Sequence, residues 1–388
     1  MSAVIAGYAR TPFVKFCGVF ARIPAHELGA HAARAALSRA GVAPERVDQV
    51  VAGQVLLAGA GQNPARQMAV AAGIPLTTPS WIVNMVCLSG AEAIAHGARL
   101  IETGDAEVVL AVGMESMSQA PHLVPGARLG KKYGAMELLD AIEVDGLLDS
   151  FEHRLMGAST EAFNEGKDLS RERQDAFAAA SHQRLVAGRD FLAGEIEPYV
   201  VKEGQEPVAH DDGVRPDTTV ESLAKLRPAF ASEGTITAGN SSQISDGAAA
   251  VVLVKEELAA SLGATPIARV VAHGLVAGPD VSLHAQPAAA IEAAMAKLGR
   301  PVSDLAAIEI NEAFAAVGVH STDRLGVDPA IVNRHGGAIA LGHPVGASGT
   351  RIVGTLARQL QALGAGSLGA AALCGGGGQG SAIVLEAV

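Results

Sequence analysis

The chain has 388 residues, of which 49% are hydrophobic and only 18% are charged. This balance excludes disorder as the main state, and the length predicts two or three domains' worth of chain. The 29 basic and 40 acidic residues give a net charge of −11. Binding to nucleic acid or to an anionic membrane surface is therefore not expected.

The sequence carries no sign of a membrane or a secretory address. No apolar run reaches the roughly 18 to 20 residues that a membrane-spanning helix needs. The first residues lack the charged-then-apolar order of a signal peptide, and the last do not form a peroxisomal address. Three cysteines make no disulfide framework and suit a reducing compartment. We expect a soluble protein of the cytoplasm.

Strand-like and helix-like stretches alternate from the start of the chain. Short, β-branched apolar runs bounded by glycine predict buried strands at 2–9, 47–55 and 106–114. Alanine-rich stretches between them predict helices at 26–41 and 89–104, each closed by its final glycine. Such alternation indicates an α/β fold whose sheets are covered by helices.

An internal repeat indicates two similar halves. Residues 35–53 resemble residues 293–311, since both give a helix, a glycine, a short polar stretch and then a strand. The offset of 258 residues also carries Cys87 to within two residues of His343. We infer a duplicated unit whose reactive loops occupy equivalent places.

The charge and the periodicity of the sequence change between the two halves. Residues 118–243 carry more charge and a weaker periodicity, and 206–230 are typical of loop with short helices. A segment this long inside an α/β chain predicts a functional insertion. We divide the chain into a first half (1–117 with 244–264), the insertion (118–243) and a second half (265–388).

Cys87 and His343 are candidates for a nucleophile and its base. Cys87 lies where an apolar run gives way to a helix, and the positive end of a helix dipole is expected to lower the thiol pKa and favour thiolate. The alternative is a small buried apolar cysteine. His343 lies in a glycine-rich loop, where a neutral imidazole could take the Cys87 proton. Its alternative role is to satisfy hydrogen bonds in a tight turn.

Cys374 and Asn311 are the other reactive candidates. Four glycines follow Cys374, and backbone N–H groups in such a turn could bind an oxyanion, with the thiol acting as acid and base. The same letters match G-x-G-x-x-G, but only eight residues follow Gly380, too few for a dinucleotide fold. Asn311 could hold a water or a carbonyl oxygen, or simply cap a helix.

Other kinds of site have no sequence signal. The histidines form no H-E-x-x-H motif or its inverse, and the cysteines are 70 and 287 residues apart, so we expect no metal site. Neither a P-loop nor a defensible serine triad occurs.

Several motifs, taken together and in order, resemble those of the thiolases. The strings are "GQNPARQ" (61–67), "NMVCLSG" (84–90), "KLRPAF" (225–230), "TAGNSSQISDGAAAVVL" (237–253), "NEAFA" (311–315), "GHPVGASG" (342–349) and "CGGGGQG" (374–380). They span essentially the whole chain. The resemblance implies a thiolase fold, with two duplicated βαβαβαββ halves in a five-layered αβαβα arrangement and a loop domain inserted in the first half.

The resemblance also implies a set of catalytic roles. Cys87 would become acylated, and His343 would activate it and help to bind the thioester oxygen of the second substrate. Cys374 would act as the acid and base. Asn311 would hold a water that forms one oxyanion hole with His343. The backbone N–H groups of Cys87 and Gly376 would form the other hole.

Coenzyme A would be held mainly by the insertion, and no other cofactor is implied. The implied contacts, from the nucleotide end to the acyl end, are Arg215, Ser222, Phe230, Ala238, Ser242, Met156, Leu155 and Phe314. For Arg215, the alternative is a solvated surface charge.

Two departures from the family pattern adjoin the acyl path. Leu155 stands where biosynthetic members usually show histidine, and 283–287 read "LHAQP" in place of an "MGxGP" turn. The catalytic set is intact, so the departures leave the acyl chain length open.

The predicted function is a reversible Claisen condensation of two acetyl-CoA through a Cys87 acyl-enzyme, within fatty-acid and lipid metabolism. The alternatives are a degradative 3-ketoacyl-CoA thiolase with longer substrates, a non-catalytic CoA- or lipid-binding relative, and a nicotinamide oxidoreductase. We also expect a homo-oligomer, either a dimer or the homotetramer, with 61–67 near the dimer contact.

Overall fold

The structure is a computed structural model that describes residues 2–388. The strands are β1 (Ala3–Arg10), β2 (Val14–Lys15), β3 (Gln49–Gly53), β4 (Ser80–Val83), β5 (Val108–Ser116), β6 (His122–Leu123), β7 (Leu139–Asp140), β8 (Ser245–Lys255), β9 (Ala268–Ala277), β10 (Leu305–Ile310), β11 (Leu368–Gly375) and β12 (Gln379–Ala387). The helices are α1 (Ala25–Ala40), α2 (Pro64–Ala71), α3 (Ser89–Thr103), α4 (Met156–Ala162), α5 (Arg171–Ala187), α6 (Arg189–Ala193), α7 (Val220–Leu223), α8 (Gln286–Leu298), α9 (Ala315–Leu325), α10 (Ala338–Leu341) and α11 (Ser348–Leu363). Short 3₁₀ turns lie at Pro44–Arg46, Met117–Gln119, Ala127–Leu129, Glu256–Leu258, Ala260–Leu262, Val302–Asp304 and Pro329–Ile331, and a π-helical turn at Glu143–Leu147.

The two halves build the same sheet twice. In the first half the strand order is β4-β3-β5-β8-β1, with β3 parallel to β4 and β5, and β8 antiparallel to β5 and β1. The second half repeats four of these five strands as β10-β11-β12-β9, with β11 parallel to β10 and β12 antiparallel to both neighbours. Antiparallel β1 and β9 pair at Val4–Arg269 and Ile5–Ala268, so that the halves share one continuous sheet.

Helices cover both faces of each half, which confirms the predicted five layers. On one outer face, α1 and α2 pack on the first half through Leu28 and Met68. Between the halves lie α3 and α11, whose Ile94 and Val353 belong to one apolar cluster with strands of both. The remaining outer face is covered by α8 through Ile291. The central pair α3 and α11 therefore carries the residues that meet between the halves.

Glycine ends the helices where the sequence predicts. The residues after α1 and α3, Gly41 and Gly104, adopt φ of 68° and 82°, the left-handed region that glycine enters without strain. Gly299 ends α8 in the same way, with φ of 64°, at the position that the internal repeat pairs with Gly41. The repeat is thus a repeat of structure.

The segment between the halves contains one long helix that the sequence analysis did not anticipate. The 17-residue α5 follows a side-chain cap from Ser170, whereas 206–230 contain only the short α7, as expected. The buried face of α5 is largely polar and includes Gln174, Asp175 and His182. A helix with such a face has no apolar periodicity to detect. The three-part division of the chain stays a prediction.

Within residues 2–388, no helix has the length and apolar character needed to cross a membrane.

Candidate active site

A strained turn between β4 and α3 presents Cys87. The preceding residue, Val86, has a φ of 50°, a conformation that β-branched residues rarely adopt. The Ser89 hydroxyl accepts a hydrogen bond from the Met85 N–H at 2.9 Å and donates one to the Val86 carbonyl at 2.6 Å. These bonds hold the turn in its strained form and fix the position of the Cys87 sulfur.

The sulfur of Cys87 faces two backbone donors. The N–H groups of Cys87 itself and of Gly376 lie near it and favour its thiolate form. Part of the Cys87 side chain remains accessible to solvent, yet the protein packed around it raises its pKa to about 12. The pKa is therefore shifted in the direction opposite to the expectation, because desolvation of the thiolate outweighs both donors. Cys87 rests as a thiol and must lose its proton as it attacks.

His343 lies in the loop between α10 and α11. Its N–H donates to the Gln243 carbonyl at 2.9 Å, which ties the loop to the segment that enters β8. The preceding Gly342 has a φ of 103°, and a Cβ at this position would lie 2.1 Å from the Ser245 hydroxyl oxygen. Only glycine fits here.

Hydrogen bonds fix the form of the His343 ring. Its Nδ1 lies 2.6 Å from the Ser348 oxygen, which donates its own proton to the Pro344 carbonyl at 3.1 Å. The Ser348 oxygen therefore accepts from Nδ1–H, and we assign the lone pair to Nε2, 3.3 Å from the Asn311 amide nitrogen. Burial, with a smaller contribution from Arg351, lowers the His343 pKa to about 4. The ring is a neutral base.

Cys374 forms the end of β11 and is almost completely buried, with 1% of its surface exposed. It packs in an apolar cluster with Leu283 and Phe314, against which Met156 also lies. Burial, and then the nearby charge that Cys87 can carry, raise the Cys374 pKa. The two thiols are thus electrostatic neighbours, although 287 residues separate them in the chain.

Asn311 follows β10 directly, and its N–H donates to the Ala372 carbonyl of β11 at 2.9 Å. Its side chain is fully buried beside His343. Among residues 2–388, the Asn311 Oδ1 has no hydrogen-bond partner. An amide oxygen so placed can accept from a small polar group.

The structure places the five predicted catalytic residues in two groups, one around Cys87 and one around His343, and Val345, two residues after His343, lies in the apolar cluster against which Cys87 packs. Asn311 contacts His343, Gly376 contacts Cys87, and Cys374 lies near Cys87. The arrangement offers a nucleophile, a neutral base, a second thiol and two converging N–H groups. Such a set suits acyl transfer through a covalent thioester.

A cavity of about 420 Å³ leads from the surface to His343. Seven of the eight predicted CoA contacts line it, namely Leu155, Met156, Arg215, Phe230, Ala238, Ser242 and Phe314. Phe230 and Phe314 meet edge to face with their centroids 6.2 Å apart. A Cβ at Gly157 would lie 2.3 Å from the Phe230 ring, so the glycine after Met156 permits this wall of the cavity to form.

Ser222 lies outside this lining. Its hydroxyl donates to the Thr219 carbonyl at 2.8 Å, and its N–H donates to the Thr219 hydroxyl at 3.2 Å. The pair caps α7. A contact of Ser222 with CoA stays a prediction.

A second cavity, of about 400 Å³, adjoins the nucleophile turn through Val86 and Gly376. Met156 borders both cavities, and Phe151 lines the second. Of the two departures from the family pattern, Leu155 lines the first cavity, while Leu283 packs with Cys374. One departure therefore lies in the cavity wall and the other beside a predicted catalytic residue.

Three further residues shape the site but have no sequence signal of their own. Ser348 orients His343, Ser89 holds the Cys87 turn, and Glu115 binds two loops, as described below. Each acts either within a turn or through a contact between segments that are far apart in the chain. The spacing of residues along the sequence reveals neither kind of contact.

The predicted lack of a metal stays a prediction. Residues 2–388 contain no group of three or more His, Cys, Asp or Glu arranged to hold one.

The glycines after Cys374 do not form a dinucleotide site. They make the turn between β11 and antiparallel β12, with Gly377 and Gly378 at φ of 77° and 68°. A dinucleotide motif would need a helix at this point. The oxidoreductase alternative therefore has no structural basis.

Comparison with known proteins agrees with this geometry. The family model for the thiolase N-terminal domain matches residues 3–257, and the model for the thiolase C-terminal domain matches residues 264–387. The chain is 51% identical to a probable acetyl-CoA acetyltransferase of Mycolicibacterium smegmatis, over 99% of this chain and 100% of the relative.

Solved structures give the same result. Human mitochondrial 3-ketoacyl-CoA thiolase in complex with CoA is 37% identical, with a TM-score of 0.95 over 100% of this chain and 98% of that one. The acetyl-CoA acetyltransferase of Bacillus anthracis is 35% identical, with a TM-score of 0.95 over 100% of this chain and 99% of that one. Motifs, fold and site geometry converge with these matches, and the chain belongs to the thiolase family.

Proposed function

We propose that this chain is an acetyl-CoA C-acetyltransferase that condenses two acetyl-CoA reversibly to acetoacetyl-CoA and CoA. The observation that carries the proposal is that the Gly376 N–H and the Cys374 thiol lie near Cys87, while Val345, two residues after the neutral His343, packs in the same cluster as Cys87. The names of relatives 44–51% identical over nearly the whole chain support the same activity.

In the first half-reaction the Cys87 sulfur attacks the thioester carbonyl and passes its proton to His343 Nε2. The Cys87 and Gly376 N–H groups stabilise the oxyanion, and each such donor contributes about 3 kcal/mol. The CoA thiolate leaves and takes the proton of Cys374, which yields free CoA, an acetyl-enzyme and a Cys374 thiolate. A raised Cys374 pKa makes this thiolate a strong base once formed.

In the second half-reaction a new acetyl-CoA occupies the site. The Cys374 thiolate removes its α-proton, while the protonated His343 and a water held by Asn311 stabilise the enolate oxygen. The carbanion attacks the acetyl group on Cys87 and expels the Cys87 thiolate, which recovers its proton from His343. All protons return to their starting positions, so the sequence is a ping-pong cycle.

The cavity of about 420 Å³ supports the binding of CoA. Its inner part is lined by apolar side chains such as Phe230 and Phe314, which suit a pantetheine arm. Arg215 is exposed and also lines the cavity. In a protein with a net charge of −11, this cation supplies a local attraction for the nucleotide phosphates.

A degradative 3-ketoacyl-CoA thiolase is the second candidate. It is favoured by the separate cavity of about 400 Å³ beside Gly376, whose apolar wall includes Val144, Leu148 and Phe151. Such a space can receive a chain longer than acetyl.

We also propose a homo-oligomer, acting in the fatty-acid metabolism of the cytoplasm. Strand β4 forms an open edge of the sheet, and an open edge favours pairing with another chain. Leu129 and Tyr133 are 90% and 95% exposed, which favours a further contact between copies. The cytoplasm is proposed from the small number of cysteines.

One assay separates these activities. The protein is incubated with CoA and either acetoacetyl-CoA or a C10 3-ketoacyl-CoA, and the loss of enolate absorbance is followed. We expect acetoacetyl-CoA to be cleaved faster. Faster cleavage of the C10 substrate would support the degradative enzyme, and cleavage of neither would refute the proposed function.

A further inference from the structure

Glu115 is a fully buried carboxylate near the end of β5. It lies between two loops of the site, one following β3 at Val55 and Leu56, and the other following His343 at Gly346. Neither the sequence motifs nor the proposed chemistry gives it a role. A buried ionisable group of this kind needs a physical explanation.

The carboxylate accepts three backbone hydrogen bonds. Oε2 accepts from the N–H groups of Val55 and Gly346, each at 3.0 Å, and Oε1 accepts from the Leu56 N–H at 3.2 Å. An ionised carboxylate has acceptor sites on both oxygens, whereas an amide or a protonated acid presents a donor at one of them. The ionised form therefore satisfies all three N–H groups without bringing an unpaired donor beside them.

These bonds connect the two halves of the catalytic site. Val55 and Leu56 belong to the first half and share an apolar cluster with Val345, against which Cys87 packs. Gly346 belongs to the second half and lies three residues after His343. The Glu115 carboxylate thus fixes the position of the His343 loop relative to Val55 and Leu56. The cluster that contains these two residues is the one against which Cys87 packs.

We propose that Glu115 is a positioning residue, whose ionised carboxylate holds the His343 loop at the distance from Cys87 that proton transfer during acylation requires. The inference rests on the proposed acyl transfer at Cys87.

The environment of Glu115 makes this function depend on pH. Burial, despite the three N–H donors, raises the Glu115 pKa to about 7, and the charge of Asp246 on β8 adds to the effect. Cys87 is the other ionisable group close to it, and rests as a thiol. Since the pKa is raised, the carboxylate is lost as the pH falls through 7. His343, with a pKa of about 4, remains neutral over that range.

The test compares acetylation of the wild type, Glu115→Gln and the control Glu92→Gln by acetyl-CoA, from pH 5.5 to 8.5. Rapid quenching and intact-mass spectrometry give the acylation rate constant, and its dependence on acetyl-CoA concentration gives an apparent affinity. Glu92 is an equally buried carboxylate five residues after Cys87, but it binds Ser381 and His273 between the layers. Thermal unfolding of all three proteins measures stability separately.

We expect Glu115→Gln to slow acylation by at least about tenfold, the equivalent of one lost buried hydrogen bond. The apparent affinity for acetyl-CoA should be unchanged within about twofold, and the decline in rate below pH 7 should disappear. Glu92→Gln should keep both the wild-type rate and that decline. If Glu115→Gln does not fold, Glu115→Asp serves instead, and should slow acylation while retaining the decline.

Three results would overturn the proposal: acylation of the Glu115 variant within about twofold of wild type, an unchanged decline below pH 7 in Glu115→Gln, or an equal slowing in Glu92→Gln. A wild type that is not acetylated at all refutes the proposed function instead, so the two failures are distinguishable.

Discussion

Replacing Ser348 with alanine tests the role of His343 most directly. The Ser348 oxygen accepts from the His343 Nδ1–H at 2.6 Å, and both residues are buried. Alanine removes this acceptor without adding volume. The ring then has a buried N–H with no partner, and can turn or exchange its proton to Nε2 to relieve it. Either change withdraws the lone pair that would receive the Cys87 proton.

The magnitude follows from the cost of the unpaired group. A buried N–H that loses its acceptor costs about 1–3 kcal/mol. Taking about 2 kcal/mol, the productive ring arrangement becomes about 30-fold less populated. The acylation rate constant should fall by that factor. The apparent affinity for acetyl-CoA should change little, because Ser348 does not line the cavity of about 420 Å³.

Stopped-flow release of CoA, detected with a thiol reagent in the presence of acetyl-CoA, measures the acylation step. The matched control is Ser381→Ala, which removes an equally buried hydroxyl whose partner is Glu92 on α3. Its acylation should equal that of the wild type. An acylation rate in Ser348→Ala within about twofold of wild type would show that His343 is not held through Nδ1.

Three further substitutions test the remaining roles. Cys87→Ser should fold but form no acetyl adduct by intact mass, since a serine hydroxyl is a far weaker nucleophile here; a persistent adduct would contradict the assignment. Cys374→Ala should still be acetylated, more slowly because the departing CoA loses its proton donor, but release no acetoacetyl-CoA, because no base removes the α-proton; condensation at the normal rate would remove Cys374 from the mechanism. Arg10→Met should lower the free energy of unfolding by about 3–5 kcal/mol, because it leaves Asp211 buried without its ion-pair partner and Glu195 with Arg358 alone, at 3.5 Å; a loss below about 1 kcal/mol in urea denaturation would refute this.

The predictable parts of the fold are those in which local chemistry decides the outcome. The runs at 2–9 and 106–114 are apolar apart from Ser2 and Glu107, because strands buried on both faces need no alternation, and the structure places β1 and β5 there. Gly41 and Gly104 end helices because few other residues adopt their conformation. Helix α5 could not be found in this way, since its packed face is polar and its partners come from distant segments.

The residues of the site likewise divide into those that local sequence identifies and those that only contacts between distant segments reveal. Cys87 and His343 could be singled out because each lies in a distinctive turn, and the internal repeat relates those turns. The pKa of Cys87 could not be predicted, because it depends on how much protein surrounds the sulfur. Ser348 and Glu115 could not be assigned for a similar reason, since their roles exist only once two loops are brought together.

The origin of the cavity walls has a consequence for how such proteins diversify. Leu155, Met156, Arg215 and Phe230 all come from the stretch between the halves, whereas the reacting groups stand at the ends of strands and helices in the duplicated sheet. Substitutions in the loops of this stretch can therefore change which substrates are bound, while the catalytic groups keep their positions in the duplicated sheet. New substrate preferences can then arise without a change in the catalytic mechanism.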